Sequence, residues 1–98
     1  MSETDSQVRN RSRARVVVAD DHSRIRQAIE EVLSSSFDVV AAVADGRQAV
    51  DAAHQLDPDV VVLDITMPVL DGFDAARELV RCGARAKIVF LTVHASDE

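Results

Sequence analysis

Four short runs of apolar, mostly β-branched residues punctuate the chain: Val16-Val17-Val18-Ala19, Val39 to Val43, Val60-Val61-Val62-Leu63, and Lys87 to Val93. Unbroken apolar runs of this length suit strands buried on both faces, as in the interior of a parallel sheet. The segments between them have helical period. Ile25, Ala28, Ile29, Val32 and Leu33 predict one amphipathic helix. Asp45-Gly46 opens a second, whose stripe Ala49, Val50, Ala52, Ala53 and Leu56 ends before Asp57-Pro58. A loop from Ile65 to Gly72 leads to a third helix lined by Phe73, Ala76, Leu79 and Val80, which Gly83 can close in the left-handed conformation. The order β-α-β-α-β-α-β is the strongest constraint on the fold. Parallel strands joined by right-handed crossovers need helices on both faces, so the chain is expected to form an α/β, doubly wound parallel sheet.

In such sheets the ligand site lies beyond the carboxyl ends of the strands, where the strand order reverses. Asp20 and Asp21 directly follow the first strand and Asp64 directly follows the third. In a 2-1-3-4-5 strand order those two strands are neighbours at the switch point, so three carboxylates should converge. Two carboxylates about 4 Å apart repel by roughly 4 kcal/mol at an effective dielectric near 20, so three together call for a proton or a cation. Oxygen-only donors without a Cys/His cluster favour Mg²⁺ over zinc. Such a site suits phosphoryl transfer, with one carboxylate acting as nucleophile.

The chain has 98 residues, 47% of them hydrophobic, enough for one compact domain. The formal net charge is −6, unevenly distributed: residues 1–15 carry Arg9, Arg11, Arg13 and Arg15 against Glu3 and Asp5, while the remainder is strongly acidic. Residues 1–14 read as a disordered basic leader and residues 15–98 as the domain. An acidic body argues against direct nucleic-acid binding, which needs basic surface to replace phosphate counterions. No apolar stretch approaches the ~20 residues that cross a bilayer, and no secretory signal is visible. With the single Cys82 unable to form an internal disulfide, a cytoplasmic location is the simplest expectation. Cys82 itself reads as a helix-packing residue.

The stretches Val17-Val18-Ala19-Asp20-Asp21-His22, Asp64-Ile65-Thr66-Met67-Pro68 with Asp71-Gly72, and Val89-Phe90-Leu91-Thr92 together resemble the receiver domain of bacterial two-component response regulators. The resemblance runs from about residue 15 onward, and its wording around Asp20 and Asp64 is similar to the subclass with a helix-turn-helix transcription-factor output. It implies a flavodoxin-like receiver fold and a phospho-accepting signalling domain rather than a conventional enzyme. A sensor histidine kinase would be its partner and Mg²⁺ its cofactor. By position, Asp64 is the implied phosphoacceptor. Asp20, Asp21, Asp64 and the backbone carbonyl of Thr66 are the implied metal ligands, and Thr92 is the switch hydroxyl. Met67-Pro68 and Gly72 would shape the loop beneath the site, Gly72 by tolerating unusual dihedrals.

The same pattern implies a further helix, strand and helix beyond the fourth strand, with a lysine at the end of that fifth strand. The sequence is therefore expected to be a receiver fold lacking its last helix-strand-helix. Lys87 begins the fourth strand, about 16 Å from its site end at ~3.3 Å per residue, and cannot replace that lysine. The unpaired apolar fourth strand predicts a homodimer formed through it.

Taken singly, Asp20 and Asp21 would pass for helix-capping residues and Thr92 for an ordinary strand residue. His22 and His94 lie near the expected site but read as solvent-facing loop residues, and His54 has no nearby partner. Asp57 and Asp59 flank the opposite end of the third strand, and Glu30 and Glu31 form a solvated helix face. Two rival functions remain open: a receiver-like interaction module that is not phosphorylated, and an aspartyl-phosphate hydrolase. The hydrolase would need a second acid two residues after its nucleophile, where this chain has Thr66.

Overall fold

The computed structural model describes residues 13–92, and within them the expected alternation stands. It comprises β1 (Arg15–Ala19), α1 (Ser23–Ser34), β2 (Asp38–Val43), α2 (Gly46–Leu56), β3 (Val60–Asp64), α3 (Gly72–Arg81) and β4 (Lys87–Leu91). The expected leader, apart from its last two residues, lies outside the described residues, as do Val93 and His94.

All pairings are parallel, in the order β2-β1-β3-β4. β1 and β3 therefore occupy the middle of the sheet, as their unbroken valine runs require. Val17, Val18, Ala19, Val61 and Leu63 are fully buried. The central register runs from Val16 opposite Val60 to Ala19 opposite Leu63, and β3 meets β4 from Val60 opposite Lys87 to Asp64 opposite Leu91. A register shift between Val16 and Val17 adjusts β1 to β2. At the amino end of the sheet, the Arg15 amide donates to Asp59 Oδ2 at 2.8 Å and its guanidinium donates to the carbonyl of Leu56 at 2.7 Å. The Asp59 carboxylate is thus engaged at that end, away from the acidic site, and the Asp57 carbonyl accepts from the same guanidinium at 3.2 Å.

The two faces of the sheet are covered unequally. On one, α2 and α3 pack Ala49, Val50, Ala53, Ala75 and Leu79 against Val17, Ala19, Val61 and Leu63. Full burial of side chains such as Leu63 and Leu79 stabilises by about 1.5–3 kcal/mol each. On the other face α1 lies over Val16 and Val18, yet none of its own residues is buried. Ala28 and Val32, expected in its apolar stripe, are exposed. Beside it a cavity of ≈ 290 Å³ is lined by Val16, Leu33, Phe37, Val60, Val62 and Val89.

The helix ends follow local chemistry. Asp45 caps α2 by accepting from the Gln48 amide at 2.8 Å, while Gln48 Oε1 accepts from the Ala44 amide at 3.1 Å. Asp71 caps α3 through the Asp74 amide at 2.9 Å. Gly83, at φ 78°, ends α3 as expected: its amide donates to Val80 and that of Ala84 to Leu79, the reciprocal pair of a Schellman turn. Two expectations for this helix fail. Its inward face is Ala75 and Leu79, which pack into the core beside Val61 and Leu63, whereas Phe73 and Val80 are exposed because they lie off that face. Cys82 is exposed at the helix end and packs against nothing in the core, since the Schellman turn carries the chain outward there.

Candidate functional site

The chain passes from β1 outward to β2 and then back across β1 to β3, so the reversal falls between the carboxyl ends of β1 and β3. Asp20 is the first residue after β1 and Asp64 the last of β3. Both are buried, Asp20 with no exposed surface and Asp64 with 7%. Asp21 and His22 are exposed and close the group from the solvent side. One ligating atom from each of Asp20, Asp21, His22 and Asp64 lies within 4.8 Å of all the others. The three carboxylates that the sequence placed on two distant segments are therefore brought together.

Hydrogen bonds account for only part of this charge. Asp20 Oδ1 accepts from the His22 amide at 2.8 Å, which turns the chain into α1. Asp64 Oδ1 accepts weakly from the Thr66 amide at 3.4 Å. Asp20 Oδ2 is buried and has no hydrogen-bond partner. A buried carboxylate oxygen without a donor costs several kcal/mol unless a cation or proton meets it. Burial pushes the Asp64 carboxyl above its ordinary value of 3.8, and the neighbouring Asp20 and Asp21 charges raise it further; the Thr66 amide and His22 pull it down only in part. Hard oxygen donors, crowded charge and an orphaned inward-facing oxygen together fit a small divalent cation such as Mg²⁺.

The loop after Asp64 is held from two sides. Met67 is buried in the core. The Gly72 amide donates to the Ile65 carbonyl at 2.9 Å, and a Cβ at Gly72 would run into the carbonyl of Asp64. Gly46, at the start of α2, is equally tight against the carbonyl of Leu70. Both glycines permit close approach of backbone to backbone. Neither has a positive φ, so the expected reason for Gly72, unusual dihedrals, gives way to the missing side chain. The positive φ in this loop belongs to Val69, at 70°, where the Leu70 amide donates to the Pro68 carbonyl at 2.7 Å in a γ-turn.

Thr92 directly follows Leu91, the residue paired with Asp64, and is exposed at this end of the sheet. Lys87 pairs with Val60 at the far end of β4, as its sequence position required. Two contributors escaped the sequence reading. His22, expected to face solvent, is 62% exposed but brings Nδ1 to 3.3 Å from Asp20 and 3.1 Å from Asp21. Arg26, one turn into α1, donates to the Asp20 carbonyl at 2.8 Å. Its position six residues beyond Asp20 was the only sequence signal.

A parallel sheet with this order, carrying an acidic cluster at its switch point, defines a class that comparison with known proteins makes specific. The pattern of the response regulator receiver domain matches residues 16–98, and the chain belongs to that family. It is 33% identical over 87 residues to the transcriptional regulatory protein DegU of Brevibacillus brevis, covering 87% of this chain and 37% of DegU. It is 39% identical over 80 residues to the nitrate/nitrite response regulator protein NarP of Escherichia coli, covering 80% of this chain and 37% of NarP. Its fold superposes on the signal receiver domain of response regulator NarL from Mycobacterium tuberculosis with a TM-score of 0.79 at 31% identity, covering 88% of this chain and 71% of that one. The chain thus spans little more than a third of DegU and of NarP, corresponding to their receiver part. Among the described residues no helix is long and apolar enough to cross a membrane.

Proposed function

We propose that this chain is the phospho-accepting module of a two-component response regulator, with Asp64 as phosphoacceptor. The observation that carries the reading is the buried Asp20 Oδ2, left without a partner beside Asp64 in a cluster of acids. Asp20, Asp21, Asp64 and the backbone carbonyl of Thr66 would hold Mg²⁺, which supplies charge neutralisation for the incoming phosphoryl oxygens. A carboxylate oxygen of Asp64 forms the new bond to phosphorus as the P–N bond of a phosphohistidine donor breaks. The electron pair leaves with the imidazole nitrogen, which takes up a proton.

The Thr92 hydroxyl serves as the switch, turning toward the phosphoryl group from the strand paired with β3. A sensor histidine kinase is the donor, and the output is control of transcription, in line with the description of DegU as a transcriptional regulatory protein. The test is incubation with Mg²⁺ and acetyl phosphate followed by intact-mass measurement of wild type and Asp64→Asn. One phosphoryl adduct on wild type and none on the variant is expected. Absence of an adduct on the wild-type chain refutes the reading, and an adduct that survives Asp64→Asn moves the nucleophile elsewhere.

A further inference from the structure

His22 stands at the acidic site without a task in the phosphoryl chemistry. It is the residue before α1, extended at φ −93° and ψ 107°, where a side chain often bonds to the first free amides of the helix. The His22 side chain makes no such bond. The backbone turns instead on the 2.8 Å bond from the His22 amide to Asp20 Oδ1, and the ring folds over the acids. Nδ1 then lies 3.3 Å from Asp20 Oδ1 and 3.1 Å from Asp21 Oδ1.

These are separations that ligands of one ion keep. Two donors each ~2.1 Å from a metal and at right angles about it stand about 3.0 Å apart. A proton on Nδ1 bridges the same outer oxygens when no metal is bound. It reaches only Oδ1 of Asp20, however, and the other oxygen of that side chain, which is 1% exposed, has no hydrogen-bond partner. A ring proton therefore leaves the inner oxygen unmet, whereas a cation in the cluster can meet the inner oxygen and the ring together.

The donor set is three carboxylates and one imidazole, with one atom of each inside a 4.8 Å span. Imidazole is a softer donor than carboxylate. It strengthens binding of transition-metal dications and adds little for Mg²⁺, a hard ion that prefers oxygen and keeps much of its water. The ring is 62% exposed and the Asp21 side chain 32%, so an ion enters from solvent and water can satisfy the second ring nitrogen. We infer that His22 is a nitrogen ligand of this centre and sets its preference for first-row transition-metal dications such as Mn²⁺ and Ni²⁺ over Mg²⁺, a step that rests on the metal site proposed above.

The test compares the wild-type chain with His22→Gln, a change at an exposed position that keeps the backbone amide bonded to Asp20. Calorimetry gives the affinities for Ni²⁺ and for Mg²⁺, and their ratio is the quantity read. The ratio is expected to fall about 10–100-fold in His22→Gln. Asp64→Asn is expected to weaken both ions, which ties the binding to the acidic cluster. Pulsed electron paramagnetic resonance of the Mn²⁺-loaded wild type should show a directly bound imidazole nitrogen, displaced by excess Mg²⁺ and absent from His22→Gln.

A ratio that His22→Gln leaves unchanged, whether both affinities hold or both fall, overturns the inference and makes His22 only a hydrogen-bond donor to the carboxylates. So does Mn²⁺ held by oxygen alone, or a nitrogen signal that survives His22→Gln and so belongs to another of the three histidines. A wild-type chain that binds neither ion, or binding that Asp64→Asn does not weaken, refutes the metal site itself and the role of His22 with it. A chain that shows the expected ratio and nitrogen signal but takes up no phosphoryl group from acetyl phosphate upholds the role of His22 and refutes the phosphoacceptor instead.

Discussion

Replacing Asp64 by Asn is expected to stabilise the metal-free fold. Asp64 is one of three carboxylates whose oxygens lie no more than 4.8 Å apart. At that separation each fully charged pair repels by about 3.5 kcal/mol at an effective dielectric of 20. Asp21 is exposed and screened, and His22 offsets part of the charge, so the Asp20–Asp64 pair dominates. The amide retains an oxygen to accept from the Thr66 N–H and fills the same volume. A net gain of about 1–3 kcal/mol at pH 7 follows, or a rise in melting temperature on the order of 5–15 °C for a domain of this size.

The pH dependence has a definite sign. Because the folded state holds the Asp64 proton more tightly than the unfolded chain, stability from this group is complete below 3.8 and is lost as pH rises past the raised folded value. Wild type should therefore weaken across that window in chelator-containing buffer, and Asp64→Asn should not. Millimolar Mg²⁺ should then stabilise wild type and leave the variant nearly unchanged. Thermal melts across pH, with EDTA or Mg²⁺, measure all three effects. An Asp64→Asn chain that melts below wild type in EDTA, or that follows the same pH profile, would refute the charge-crowding argument.

Gly72→Ala drives a methyl into the Asp64 carbonyl and Gly46→Ala into that of Leu70, and backbone atoms have little room to yield. Each should cost about 1–3 kcal/mol in urea unfolding. Val69→Gly relieves a β-branched residue at φ 70° and should gain about 1 kcal/mol in the same measurement, since the side chain is 79% exposed and loses little packing. Leu63→Ala, in the centre of the sheet, should cost about 2–5 kcal/mol by the cavity it leaves.

The fold was legible because parallel strands buried on both sides appear as unbroken valine runs, and the crossovers between them admit few topologies. The convergence of Asp20, Asp21 and Asp64 follows from topology alone, which is why it could be read without coordinates. Which helix positions are covered could not. The stripes through Val32 and through Phe73 and Val80 have the right period, but periodicity says where a face points and not whether a neighbour reaches it. Phe73 instead stands 5.0 Å from Phe90, ring to ring, at the rim of β4. His22 was misread for a related reason. Its ring is exposed, but the turn made by Asp20 Oδ1 and the His22 amide folds it back over two carboxylates, a geometry with no periodic signature. The close contacts of Gly46 and Gly72 join segments whose facing distance no local pattern encodes.

The order of the strands also bears on when the site can exist during synthesis. β1 leaves the ribosome first, yet both of its neighbours come later, and the Arg15 amide waits 44 residues for Asp59. Pairings of such separation carry a loop-closure cost that local helix contacts avoid, and they slow folding accordingly. Until β3 emerges, β1 has an open flank rich in valine and is exposed to mispairing. The acidic cluster cannot assemble until Asp64, the final residue of β3, has emerged. Met67, Ala75 and Leu79 of the core and the whole of β4 lie beyond Asp64, so in a nascent chain the three carboxylates emerge before the apolar framework that must hold them together is complete.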